Sequence, residues 1–97
     1  MYFITCFSRY EINRGIPDIG SARTFGYCND RDEAIEIVRK NCYDIQERIY
    51  RYAVIEYIPE GLYELATERL FFEWNENTET FEPIELFEDN WGNYAFG

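Results

Sequence analysis

The run Tyr2–Ser8 (YFITCFS) constrains the fold more than any other segment of this chain. With the two-residue period of a strand, Phe3, Thr5 and Phe7 face one way and Tyr2, Ile4, Cys6 and Ser8 the other, and both sets are mostly apolar. Such a strand needs cover on two faces, so it belongs at the centre of a sheet with something packed on each side. Ile49–Ile58 (IYRYAVIEYI) is the strongest strand signal in the chain, and Pro59–Glu60–Gly61 ends it.

Between them, "INRGIPDIGSA" holds two Gly and one Pro and reads as a loop, and "RTFGY" as a short strand whose Gly26 suggests a bulge or a close backbone approach. Asp30 then reads as an N-cap, with Glu33 completing a capping box. The helix it starts runs from Arg31 to Asn41, with Ala34, Ile35, Val38 and Cys42 on one face. Asp44 and Glu47 repeat the box pattern, which predicts one further helical turn. "YELATERL" suggests one or two helical turns, "RLFFEW" a strand, "NENTET" a turn, and "TFEPI" a partner strand whose Pro83 marks a sheet edge. Trp91, Tyr94 and Phe96 are expected to dock onto the body. The expected fold is α+β: one domain, residues 1–97, with an antiparallel or mixed sheet of about four to five strands and one main helix packed on one face.

The totals agree. Apolar residues make up 46% of the chain and aromatics 20%, enough for a core in a chain that buries roughly 60–65% of its unfolded surface. The surplus of aromatics points to a surface or interface role and to a homo-oligomer. The net charge of −10 argues against direct nucleic-acid or anionic-membrane binding. Its distribution is uneven. Residues 1–51 hold eight cations against eight acids, whereas residues 52–97 hold only Arg69 against eleven acids. Cys6, Cys28 and Cys42 show no disulfide or zinc spacing. The N-terminus has no signal-peptide pattern and no apolar run approaches a membrane span, so a cytoplasmic location is expected.

Catalytic groups are few. The chain has no His and one Lys, and its acid pairs are those expected by chance among nineteen acids. No cofactor or metal motif is present. Binding chemistry is better supplied. Arg23, Thr24, Gly26 and Tyr27 lie just ahead of a helix N-terminus, where backbone N–H groups and a guanidinium make an anion seat. Unbroken alternation would put Arg23, Phe25 and Tyr27 on one face. Arg9 would come close if the first two strands pair. Arg48 and Arg51 interleave with Tyr50 and Tyr52, an alternation suited to stacking nucleotides. The same stretch also reads as an ordinary turn in which Asp30 satisfies the helix, Phe25 is core and Arg23 pairs with a surface acid. The acidic second half supports a different function, an inhibitor that mimics nucleic-acid charge and binds a basic effector protein.

Four segments, "MYFITCF", "RTFGY", "YAVIEYIPEGLY" and "NYAFG", resemble a family of small uncharacterised proteins of similar length from gut bacteria and their phages or mobile elements. The resemblance transfers no activity and no residue role. It implies a context, in which small proteins antagonise host defence by sequestering a nucleotide signal or plugging an effector. The expectation from the sequence is therefore a non-enzymatic binding protein that takes a small nucleotide-type ligand through Arg9, Arg23, Thr24, Gly26, Tyr27, Arg48 and Arg51. The alternative is the acidic inhibitor of a basic protein.

Overall fold

The computed structural model describes residues 1–14, 16–58 and 68–84. Five strands, β1 (Tyr2–Phe7), β4 (Ala22–Cys28), β5 (Tyr52–Tyr57), β6 (Glu68–Asn75) and β7 (Thr80–Ile84), form an open sheet in the order β4-β1-β5-β6-β7. Every neighbouring pair is antiparallel. The segment expected to be a loop instead folds into a two-stranded hairpin, β2 (Glu11–Asn13) with β3 (Ile16–Asp18). Its Gly and Pro content signals the turn but hides the ladder. The one α-helix among the described residues, α1 (Arg31–Arg39), crosses one face of the sheet.

β1 is an interior strand, between β4 and β5, as its two apolar faces demand. Ile4 and Cys6 join Ala34 and Val38 of the helix, Ala53, Ile55, Phe72 and Phe81 of the sheet, and Ile45 and Tyr50 of the connector that follows α1. Phe7 points the other way, into a second cluster with Ile19, Val54 and Phe71, beside which Tyr10 packs. Pro83 lies in β7, an edge strand among the described residues, the position in a sheet where a missing N–H is tolerated.

The helix starts where its cap predicts. Asp30 is extended, and its carboxylate accepts from the backbone N–H groups of Asp32 (2.8 Å) and Glu33 (3.2 Å). It ends earlier than its apolar period suggests, because Asn41 turns left-handed at φ 51°. The second predicted box fails for the same reason. Asp44 (φ 53°) and Glu47 (φ 51°) are also left-handed, and the region holds a 3-10 turn (Cys42–Asp44) followed by turns. Strand β5 accordingly begins at Tyr52 rather than at Ile49. Of "YELATERL", Glu68–Leu70 belong to β6 and the remainder lies outside the described residues, as do Trp91, Tyr94 and Phe96. Among the described residues no helix is long and apolar enough to cross a membrane.

Candidate functional site

The strand β4 carries four of the seven candidate residues, and a bulge separates them. Thr24 pairs with Thr5 and Gly26 with Ile4, leaving Phe25 as an extra residue without a partner on β1. The alternation breaks there. Arg23, opposite Cys6, lies on the helix face, and its guanidinium carbon stacks 4.7 Å from the Phe25 ring. Tyr27, opposite Phe3, lies on the other face, with its ring 5.6 Å from that of Phe3 and 59% exposed. Thr24 is also on that face, where its hydroxyl shares a 2.9 Å hydrogen bond with Thr5. Gly26 supplies the bulge with φ +144°, a value that side chains other than hydrogen rarely adopt. Arg23 and Tyr27 therefore do not address one ligand together. Uninterrupted alternation was the wrong rule for this strand, and Gly26 was its visible exception.

The arginines are largely engaged. Arg9 donates to Asp18 (2.9 Å), and Arg23 to Glu47 (2.6 Å). Asp18 is held below the usual carboxylate range first by the Gly20 backbone N–H and then by Arg9. Arg31 pairs with Glu68, Arg39 with Glu82 and Arg51 with Glu73. These three pairs run from cations of the first half to acids of the second, so part of the charge asymmetry in the sequence is complementarity within the fold. Arg14 and Arg48 make no ion pair among the described residues.

Two of the predicted residues meet in a cavity. A groove of about 570 Å³ opens where the connector enters β5, and Arg48, Tyr50 and Arg51 line it together with Glu73, Trp74 and Glu76. Tyr50 is held by burial in the core, edge-on to Phe25 at 6.2 Å. Trp74 is fixed by an edge-on contact with Phe81 (5.1 Å) and by its backbone N–H, which donates to the Arg51 carbonyl (2.7 Å). Arg51 donates from Nε to Glu73 Oε2 (3.0 Å), which raises its pKa further, and its side chain remains 67% exposed. The groove thus combines guanidinium donors, carboxylate acceptors and two anchored aromatic side chains. Tyr52, interleaved with these residues in sequence, points away and stacks on Phe7 at 5.3 Å.

The sequence signal for Arg48, Tyr50 and Arg51 was the arginine–aromatic alternation. Glu73, Trp74 and Glu76 come from another strand. They reach the groove because Tyr52 pairs with Glu73, a register no local pattern announces. Elsewhere, the Cys28 thiol donates to the Asp30 carbonyl (3.6 Å) and its pKa is raised, by burial first and by Glu33 second, which disfavours a nucleophilic thiolate. Among the described residues no group of three His, Cys, Asp or Glu is placed to hold a metal ion. Compared with known proteins, the chain matches no family model, no curated protein and no solved structure.

Proposed function

We propose that the protein is a non-enzymatic binding protein whose groove beside Arg48 and Arg51 takes a small nucleotide-type ligand. The observation that carries this reading is the convergence of two arginines with Tyr50 and Trp74 in one cavity of about 570 Å³, within the roughly 300–1,000 Å³ typical of small-molecule sites. Guanidinium groups match phosphate oxygens in a fork geometry. Half-buried Trp74 is the ring on which a base can stack, Tyr50 being buried in the core. Glu73 and Glu76 supply acceptors for ribose hydroxyls or an exocyclic amine. The exposed Arg51–Glu73 pair is worth only about 0–1 kcal/mol, so exchanging the carboxylate for a phosphate costs little. Sequestration of a nucleotide signal, in the phage or mobile-element setting that the sequence resemblance implies, is the biological role proposed, with a homo-oligomer as the working form.

The test is a thermal-shift screen against linear and cyclic nucleotides at low salt. A ligand at 100 times its Kd adds about 2.7 kcal/mol, a rise in Tm of roughly 10 °C or more for a domain of this size. Replacing Arg48 or Arg51 by Ala should then weaken binding by about 1.5–3 kcal/mol each. A flat screen, or a hit that both variants leave unchanged, removes this reading.

One observation favours a second reading. Glu76 and Glu79 sit exposed on the β6–β7 turn and make no ion pair among the described residues, while Glu73 and Glu82 flank them on the strands. That acidic tip suits an inhibitor docking on a basic effector. Such binding would weaken steeply with salt, and salt-insensitive capture would exclude it.

A further inference from the structure

An unusual piece of backbone leads into the groove, and two of its residues, Gln46 and Arg48, line it. Five residues without the freedom of glycine, Asn41 (φ 51°), Tyr43 (φ 61°), Asp44 (φ 53°), Glu47 (φ 51°) and Arg48 (φ 62°), sit in the left-handed region within eight positions. There the Cβ of an L residue crowds the backbone, and single visits, mostly by Asn or Asp, are the rule. Tyr43 does so with its side chain 89% exposed, so no packing of that ring repays its conformation.

The sequence of the same segment favours something else. No Gly or Pro occurs between Tyr27 and Ile58. Ile35 and Val38 of α1 continue at Cys42 and Ile45 with the alternating three- and four-residue spacing of a helix seam. The hydrogen bonds are those of successive single turns, each one residue short of the α-helical span. The N–H of Asn41 donates to Val38, that of Asp44 to Asn41 and that of Glu47 to Asp44, each over three residues and each at 3.1 Å. Rotating the left-handed residues into the right-handed region would carry α1 onward with Ile45 still on its apolar side. Six added helical residues rise about 9 Å, and residues 47–51, which span up to about 17 Å when extended, would then join the longer helix to β5.

We propose that residues 41–48 form a two-state connector. In one state its left-handed turns set Gln46 and Arg48 against the groove, and in the other it extends α1 through Gln46 and withdraws both. The first state is held by the buried side chains of Ile45 and Tyr50, by Asn41 Oδ1 accepting from the Gln46 backbone N–H (2.9 Å), and by the Arg23–Glu47 ion pair. In the second, Gln46 and Arg48 leave the groove and Arg23 loses its carboxylate. A local preference that conflicts with the observed backbone is the condition under which two packings lie close in free energy. The device concerns the lining of the groove and not its occupant, so it stands or falls separately from the ligand reading.

The test uses the full chain and two opposed double variants. Tyr43→Gly with Asp44→Gly relieves the left-handed strain and weakens the helix, so Tm should rise by about 4–8 °C or more and amide exchange across 41–48 should slow. Asn41→Ala with Tyr43→Ala removes the residue type that tolerates the left-handed region and adds the best helix former. Cα chemical shifts of residues 41–46 should then move to helical values while those of β1 and β5 stay. A glycine pair that leaves Tm unchanged or lower overturns the proposal. So does an alanine pair that keeps the wild-type shifts or fails to fold.

Discussion

Replacing Arg69 by Met is the most demanding test of how the sheet is held. Arg69 on β6 and Glu56 on β5 are register partners on the face away from the helix, joined at 3.1 Å with side chains only 10% and 6% exposed. Burial pushes the Glu56 carboxyl above its ordinary range, and Arg69 pulls it partly back. Removing the guanidinium leaves a buried carboxylate uncompensated, at a cost of about 3–5 kcal/mol, or a Tm loss of roughly 12 °C or more. The cost depends on pH with a definite sign. A carboxyl whose folded pKa is raised stabilises the fold fully below its unfolded pKa, and that stabilisation is lost as pH rises through the folded pKa. In Arg69→Met the raised pKa moves higher still, because the counteracting charge is gone. The variant should therefore lose more relative to wild type at about pH 7.5 than at about pH 5 in urea melts. Adding Glu56→Leu should recover most of the loss, since two well-packed apolar residues replace a buried pair at little net cost. An equal loss at both pH values, or a double variant no better than the single one, would refute the reasoning.

Two further outcomes follow from the same geometry. At Gly26, φ is +144° and a Cβ would meet no atom within 4 Å beyond its own and the two adjacent residues, so Gly26→Ala and Gly26→Ser should cost the same, about 1–3 kcal/mol, through backbone strain alone; unequal losses in chemical melts would point to a steric cause instead. Burial, and secondarily Glu47, pushes the Cys6 thiol up to about 12, so mass-spectrometric mapping should find Cys6 alkylated only in denaturant, and labelling in the native protein would contradict its place in the core.

What the sequence made legible is what a single element decides by itself. The two apolar faces of Tyr2–Phe7 required a central strand, Asp30 announced the helix, and Pro83 announced an edge. What it concealed arises from competition between elements. The β2–β3 hairpin lay under turn-forming residues. The bulge at Phe25 put Arg23 and Tyr27 on opposite faces, although Gly26 had hinted at it. The helix period ran on through Cys42, but Asn41 turned left-handed and the connector folded back to bury Ile45 and Tyr50. In the groove, Arg48, Tyr50 and Arg51 were readable as a local alternation, whereas Trp74 and Glu73 arrive by strand register.

The strand order has a consequence for synthesis. β1 is made first, yet it is hydrogen-bonded on one side to β4 and on the other to β5. By the time Arg39 has emerged, β1, the hairpin, β4 and the helix can all assemble, but the second edge of YFITCF has no partner until Tyr57 follows. At 5–20 residues per second those 18 residues take about 1–4 s. For that interval the nascent chain presents an aromatic strand edge, the kind of template on which neighbouring chains of a polysome pair. The length of the connector thus sets a window of vulnerability on the ribosome, and a chain stalled between Arg39 and Tyr52 carries that edge for as long as it is held.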